Sequence, residues 1–162
     1  MLLAILLVGC GARPVAPRTE AAESAGPAGP EAAIAFARAQ VGKRYCWGGS
    51  GPDCFDCSGL VQAAWGAGGV RLPRTAGDQE RALYNLLPGE EVRPGDIYWW
   101  GHGHVALYVG DGAVIDAYHS GAGVVQRRPR RPDRVLRVCA PAASWCRLGS
   151  GPRSTSHQRS SP

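Results

Sequence analysis

Apolar residues recur at two different spacings, and the spacing changes near the middle of the chain. Leu60, Val61 and Ala64 repeat at the spacing of one face of an α-helix. From Asp96 onward, apolar residues occur instead in short alternating or continuous runs separated by glycine, proline and aspartate, as in β-strands. Helices are therefore predicted in the first part of the folded region and a sheet in the second.

Turn and capping residues set the limits of the predicted elements. Gly42 ends a first helix, and Thr75 with Asp78 three residues later resembles the start of a third. The dipeptide Asp111-Gly112 predicts a hairpin. The predicted helices cover residues 31–40, 58–67 and 75–87, the predicted strands cover 96–100, 104–109, 113–118, 124–127 and 134–138, and a glycine-rich loop covers 45–56. Helices that precede an antiparallel sheet indicate an α+β fold.

Both ends of the chain lack these periodicities. Residues 11–30 are rich in alanine, proline and glycine, a composition that cannot bury enough apolar surface to fold, so we expect a flexible tether. One folded domain is expected over residues 31–140, because its length suits a single modest core. Residues 141–162 are basic and lack an apolar period, so we expect a disordered tail.

Residues 1–10 have the features of an export signal. They are almost entirely apolar up to Cys10, but too few to cross a bilayer as a helix of about 20 residues. The stretch Leu7-Val8-Gly9-Cys10 resembles the lipobox of bacterial lipoproteins, although no lysine or arginine precedes it. The resemblance implies lipidation of Cys10 and a membrane-anchored lipoprotein of the cell envelope that faces the periplasm or the exterior.

The excess of basic charge is local. The chain carries 18 lysine and arginine residues against 13 acidic ones, and six of the arginines lie within residues 127–137. We interpret this run as a solvated surface, with attraction to anionic envelope polymers or lipid head groups as the alternative. No recognition motif for nucleic acid accompanies the run, so nucleic acid is not an expected partner.

The cysteines raise the question of which thiol stays reduced. Export would place five of the six in a compartment that permits disulfides, and an odd number leaves one of them free. Cys57 lies at the start of a predicted helix, where unpaired N–H groups and the helix dipole favour a thiolate. Cys46 and Cys54 are eight residues apart across a glycine-rich turn, so we expect a disulfide between them. Cys139 and Cys146 would form a second pair.

A nucleophilic cysteine needs a base that later protonates the leaving amine, and imidazole does both near neutral pH. His157 lies in the tail, and His102 lies in a Gly-His-Gly loop that holds it in no fixed position. His104 opens a predicted strand, whose rigid backbone could hold it over the helix that starts at Cys57. Cys57 and His104 are therefore the predicted nucleophile and base.

Five short motifs follow one another along the predicted domain. They are Tyr45-Cys46-Trp47-Gly48-Gly49, Phe55-Asp56-Cys57-Ser58-Gly59-Leu60-Val61, Leu72-Pro73-Arg74-Thr75, Pro94-Gly95-Asp96 and Gly103-His104-Val105-Ala106-Leu107-Tyr108-Val109-Gly110. In this order they resemble the motifs of the NlpC-type cell-wall cysteine peptidases, a papain-like group, over roughly residues 31–138. The resemblance implies a monomeric enzyme without cofactor or metal. It also implies hydrolysis of peptidoglycan stem peptides at the bond between D-glutamate and the diamino acid.

The same resemblance assigns roles to individual residues. It implies Cys57 as the nucleophile and His104 as the base. It also places three residues along the substrate cleft, namely Tyr45, Asp56 and Ser58. The chain departs from many members of the family at Cys46 and Cys54, which stand where those members carry an apolar residue and a glycine. It also departs at Asp116, which stands where many members carry a second histidine.

The third residue of the site, which orients the imidazole of His104, depends on the register of the predicted hairpin. With a two-residue loop, His104 would lie opposite His119. With a three-residue loop that ends in a left-handed Gly112, Asp116 would become the diagonal neighbour of His104. Gly112 favours the second register, and many family members carry a polar third residue at the position of Asp116. Asp116 is therefore the predicted third residue of a Cys-His-Asp triad, and His119 is the alternative.

Other interpretations of these cysteines remain open. Cys54 and Cys57 form a C-x-x-C pair, which at a helix start is also typical of a dithiol redox site. A zinc site from Cys46, Cys54, Cys57 and His104 is conceivable, although structural zinc sites normally pair two short ligand motifs. A non-catalytic cell-wall-binding module of the same fold is the remaining alternative to a peptidase.

Overall fold

The structure is a computed structural model that describes residues 28–139. The predictions for Cys10, for the tether, for the basic tail and for Cys146 lie outside these described residues. Within them the helices are α1 (Pro30–Ala39), α2 (Cys57–Ala67) and α3 (Ala76–Ala82). The strands are β1 (Arg44–Tyr45), β2 (Cys54–Phe55), β3 (Tyr84–Asn85), β4 (Ile97–Trp100), β5 (His104–Gly110), β6 (Ala113–Ala117), β7 (Val124–Arg127) and β8 (Arg134–Arg137).

Six of the strands form one antiparallel sheet in the order β3-β8-β4-β5-β6-β7, and β1 pairs with β2 in parallel. Helices thus precede an antiparallel sheet, and the predicted α+β fold is confirmed. None of the helices within residues 28–139 is long and apolar enough to cross a membrane.

Helix α2 is the central element of the core. It contacts α1 on one side and strands β5 and β6 on the other. Leu60, Val61 and Trp65 are fully or almost fully buried, and each such side chain stabilises the fold by about 1.5–3 kcal/mol. Gly59 lets the preceding loop lie close to the helix, because a Cβ at this position would collide with the carbonyl oxygen of Gly49. The start of α2 is therefore held between the sheet and the loop.

Two predicted segments differ from the structure. Helix α3 ends at Ala82, so its predicted continuation to Leu87 is wrong. Leu83 is extended, and the next two residues form β3, because the chain there pairs with β8 at the sheet edge. The segment predicted as a loop over residues 45–56 contains part of β1 and the whole of β2.

The hairpin between β5 and β6 combines features of both predicted loops. Its turn has two residues, Asp111 and Gly112, with φ of 52° and 69°, so the predicted three-residue loop is wrong. A bulge between Tyr108 and Gly110 nevertheless shifts the pairing, so that Leu107 faces Ile115. The register of the strands beyond the bulge is therefore the predicted one, with Asp116 diagonal to the first residue of β5.

Candidate active site

Asp56 organises the start of helix α2. Its carboxylate accepts hydrogen bonds from the backbone N–H groups of Gly59 at 2.7 Å and Gly48 at 2.9 Å. Arg74 binds both carboxylate oxygens, at 2.9 and 2.6 Å. Burial would raise the pKa of Asp56, but the hydrogen bonds from Arg74, Gly59 and Gly48 outweigh burial and hold this pKa below its ordinary value. An ionised Asp56 thus caps the helix that begins at the next residue, Cys57.

Cys57 carries a free thiol at the first position of α2. Its Sγ atom lies 3.9 Å from the carbonyl oxygen of Gly103, the residue that precedes β5. The predicted disulfide is confirmed, since Cys46 and Cys54 are joined with their Cα atoms 5.7 Å apart. Cys54 is therefore bonded to Cys46 rather than to Cys57, and the structure does not contain the dithiol pair of the redox interpretation.

His104 lies between Cys57 and Asp116. Its Nε2 atom is 2.6 Å from Oδ2 of Asp116, and the side chains are 13% and 0% exposed. Burial lowers the pKa of His104, but hydrogen bonds to Asp116 and Cys57 and the negative charges of both partners outweigh burial and raise this pKa from 6.5 to about 9. Since Nε2 faces Asp116, the nitrogen that faces Cys57 is Nδ1.

Asp116 has a second partner that the sequence analysis missed. Arg127 donates to Oδ1 from Nε at 3.1 Å and to Oδ2 from Nη2 at 2.6 Å, and its guanidinium lies 4.0 Å over the ring of Tyr118. Asp116 faces Val125 across β6 and β7, so Arg127 is its diagonal neighbour, as His104 is on the other side. Knowledge of this register is the signal that could have identified Arg127.

The arginine run is not uniformly a solvated surface: that interpretation is wrong for Arg127, which is half-buried, and for Arg137, which is buried, whereas Arg134 is exposed although it forms an ion pair. Arg127 pairs with Asp116, Arg134 pairs with Glu80, and Arg137 pairs with Asp96. The Arg137–Asp96 pair is buried, with side chains 5% and 4% exposed. Arg128, Arg130 and Arg131, which follow β7, are exposed as expected.

His119, the alternative third residue, lies elsewhere. It is exposed in the turn after β6, and its Nδ1 accepts a hydrogen bond from the N–H of Gly121 at 3.1 Å. Tyr118 occupies the position beside His104, with the two rings 6.0 Å apart. The structure therefore brings Asp116, and not His119, to the imidazole.

A cleft of about 430 Å³ opens at Cys57. The three predicted substrate-cleft residues all line it, namely Tyr45, Asp56 and Ser58. Ser58 is almost buried and donates to Asp56 at 3.2 Å, and burial together with the charges of Cys57 and Asp56 raises the pKa of Tyr45. Arg74 also lines the cleft and was missed, although it stands in one of the five motifs.

The arrangement supplies what acyl transfer from an amide requires. Cys57 places a free thiol at a helix start, His104 carries an imidazole that can hold and return a proton, and Asp116 places a carboxylate 2.6 Å from the ring nitrogen of His104. Within residues 28–139 no group of three histidine, cysteine or acidic residues could hold a metal ion. The geometry is that of a cysteine hydrolase.

Comparison with known proteins places the chain in one family. The family model described as the NlpC/P60 family matches residues 42–135. The chain is 40% identical over 94 residues to probable endopeptidase p60 of Listeria innocua, a match that covers 56% of this chain and 20% of the relative. The chain thus spans about a fifth of that relative's length.

Two of the solved structures with the same fold are proteins of Mycobacterium tuberculosis. The peptidoglycan hydrolase RipB aligns with a TM-score of 0.59 and 35% identity, over 67% of this chain and 63% of RipB. RipD, described as a non-catalytic NlpC/p60 domain protein adapted to peptidoglycan binding, aligns with a TM-score of 0.57 and 27% identity. That alignment covers 68% of this chain and 97% of RipD.

Proposed function

The chain belongs to the NlpC/P60 family, and from this membership we propose that it is a cysteine endopeptidase acting on the peptide stems of peptidoglycan. Relatives named as endopeptidase and as peptidoglycan hydrolase support the proposal. The observation that carries it is the imidazole of His104 held between Asp116 and Cys57, the residue that lines a cleft of about 430 Å³.

In the proposed reaction, the thiolate of Cys57 attacks the carbonyl carbon of the scissile amide while His104 holds the proton. The imidazolium then gives this proton to the leaving amine, and the acyl group remains on Sγ as a thioester. In the second half, His104 takes a proton from a water molecule whose oxygen attacks the thioester carbon. The C–S bond then breaks, the acyl part leaves with a new carboxyl group, and the Cys57 thiolate is restored beside the imidazolium. Asp116 accepts a hydrogen bond from Nε2–H throughout and stays ionised, which keeps Nδ1 directed at the reacting atoms.

We further propose that the scissile bond joins D-glutamate to the diamino acid of the stem. This assignment comes from the family resemblance of the motifs around Tyr45, Asp56 and Ser58.

A non-catalytic wall-binding module is the second candidate, because RipD has this fold and is described as such a protein. The two candidates differ in a direct assay. Purified protein is incubated with peptidoglycan, and both free amino groups and sedimented protein are measured. We expect new amino groups and soluble stem fragments from the wild type and none from Cys57→Ala, a change that removes the thiol but little volume. Sedimentation without release by the wild type would instead favour the binding module.

We also propose that Cys10 carries a lipid and holds the domain at a membrane of the cell envelope. The support is its position directly after Leu7-Val8-Gly9. Cys10→Ser should move the protein from the membrane fraction to the soluble fraction. An unchanged distribution in cell fractionation would contradict the anchor.

A further inference from the structure

A second cleft of about 350 Å³ contains the ring of His104 but not Cys57. Its walls are Trp100, His102, His104, Tyr118, Arg127 and Arg130. The first cleft contains Cys57 and Gly103 but not His104. Because His104 is hydrogen-bonded to Cys57, the two clefts meet at the reacting pair. A peptide whose scissile bond lies at this pair can therefore extend into both.

The chemistry of the pair decides which part of the peptide each cleft receives. Cys57 bonds to the acyl part, so the cleft around Cys57 takes that part. His104 protonates the amine, so the leaving residue must lie against its ring. The second cleft therefore faces the leaving residue.

The second cleft has an unbalanced positive charge. Arg127 already binds Asp116 through two hydrogen bonds, so its charge is largely compensated. Arg130 is exposed, and its Nη2 atom lies 3.4 Å from Nδ1 of His102. No aspartate or glutamate is among the residues that line this cleft. The guanidinium of Arg130 is thus available to an anion from outside the chain.

The walls hold Arg130 in place beside the catalytic ring. Trp100 is buried, and its Nε1 donates to the carbonyl oxygen of Arg131 at 3.0 Å, which fixes the segment after β7 to the sheet. The ring of His102 stacks with that of His104 at 6.1 Å and an interplanar angle of 7°. The backbone next to Arg130 is therefore tied to the sheet, and its guanidinium lies 3.4 Å from a ring that stacks on His104.

We propose that this second cleft is the subsite for the leaving residue and that Arg130 binds a carboxylate of that residue. The inference rests on the proposed hydrolytic function and adds a substrate class to it: peptides whose leaving residue carries a free carboxylate rather than a carboxamide. A guanidinium matches a carboxylate in shape and charge, because it offers paired N–H donors.

Arg128 provides a matched control. It is exposed in the same run and has the same charge. Its guanidinium, however, lies beside Gly112 in the hairpin turn, where Nη1 would be 3.1 Å from a Cβ added to that glycine. It does not line the second cleft. Arg128→Gln therefore removes the same charge as Arg130→Gln from a different place.

The test uses two synthetic stem peptides that differ only in a carboxylate or a carboxamide on the leaving residue. We expect the wild type to cleave the carboxylate peptide with about tenfold higher kcat/KM, the effect of one hydrogen-bonded charge pair. Arg130→Gln should remove this preference by slowing the carboxylate peptide alone, and Arg128→Gln should retain it. Equal slowing of both peptides by Arg130→Gln, or no preference in the wild type, would overturn the subsite.

Binding separates this inference from the proposed function. The affinities of both peptides are measured by calorimetry for Cys57→Ala and for Cys57→Ala/Arg130→Gln. Tighter binding of the carboxylate peptide that depends on Arg130 supports the subsite even if the wild type cleaves neither peptide. Equal affinities overturn the subsite even if both peptides are cleaved.

Discussion

Replacing Asp116 with asparagine tests whether its charge controls the protonation of His104. The side chain is fully buried and asparagine has nearly the same shape, so packing is little changed. The amide oxygen can still accept from Nε of Arg127 at the position of Oδ1. The amide NH₂ then takes the position of Oδ2, where it faces Nε2 of His104 and where Nη2 of Arg127 loses its acceptor. A neutral ring in that setting carries its proton on Nδ1, the nitrogen that faces Cys57, and cannot accept the thiol proton.

The pKa of His104 gives the magnitude. Asp116 and Cys57 together overcome burial and raise this pKa from 6.5 to about 9, and loss of the carboxylate should lower it back towards the ordinary value of 6.5. At pH 8 about 90% of rings with a pKa of about 9 are protonated, against about 3% of rings with a pKa of about 6.5. Loss of the charge therefore lowers kcat/KM about 30-fold at pH 8 but less than about twofold at pH 6. Poorer orientation of the ring adds a loss of at least about tenfold at every pH.

The assay is kcat/KM of the wild type and Asp116→Asn on one stem peptide from about pH 6 to about pH 9. Unfolding by urea at each pH gives a second readout. Since folding raises the pKa of His104, the ring stabilises the fold fully below pH 6.5, and this contribution is lost as the pH rises through about 9. The wild type should lose up to about 3 kcal/mol over this window, and Asp116→Asn should show little of that loss.

Because the variant loses its imidazolium at a lower pH than the wild type, the ratio of wild-type to variant kcat/KM should rise with pH. A ratio that stays constant between pH 6 and pH 8 would refute control of the imidazolium by the carboxylate. His119→Ala is the control, because His119 is exposed and bonds only within its own turn among the described contacts. It should cost little activity, and a larger loss than for Asp116→Asn would show that the third residue is wrongly assigned.

Two further variants test the support of the site. Cys46→Ser/Cys54→Ser should lower the free energy of unfolding by about 2–3 kcal/mol in urea denaturation, the closure entropy of a short loop, and an unchanged midpoint would contradict this. Asp96→Ala should cost about 3 kcal/mol, because Arg137 would stay buried without its carboxylate, whereas Arg128→Ala should cost much less. Equal losses of unfolding free energy for Asp96→Ala and Arg128→Ala would show that the buried ion pair stabilises the fold no more than an exposed arginine does.

Local patterns predicted the elements that are determined locally. Helix α2 begins and ends where its apolar spacing and the polar residues before Cys57 indicate. The end of α3 could not be predicted in this way, because Tyr84 and Asn85 leave the helix to pair with β8, about 50 residues further along the chain. A strand that exists only through such a partner has no strong signal of its own.

The candidate site was predictable as far as its residues belong to motifs or follow from register. Cys57 and His104 stand in motifs, and Asp116 follows from the pairing of β5 with β6. The prediction reached this pairing through a three-residue loop, whereas the chain uses a two-residue turn and a bulge after Tyr108. Both solutions insert one residue into the same strand pair, so the face on which Asp116 lies is the same. The placement of Asp116 beside His104 therefore depends on the number of residues inserted between β5 and β6 and not on the type of turn.

The arginine run shows where a reading of local composition fails. Arg127 and Arg130 are three residues apart in one basic stretch, yet one binds a buried carboxylate and the other faces an open cleft. The carboxylate of Asp116 is on the neighbouring strand, so only the β6–β7 pairing distinguishes the two arginines. Because β7 ends at Arg127, the chain leaves the sheet until β8 begins at Arg134, and none of Arg128, Arg130 and Arg131 lies on a strand beside a carboxylate. At the end of β7, the paired guanidinium of Arg127 and the guanidinium of Arg130, which forms no ion pair within residues 28–139, therefore both line the cleft that contains the ring of His104.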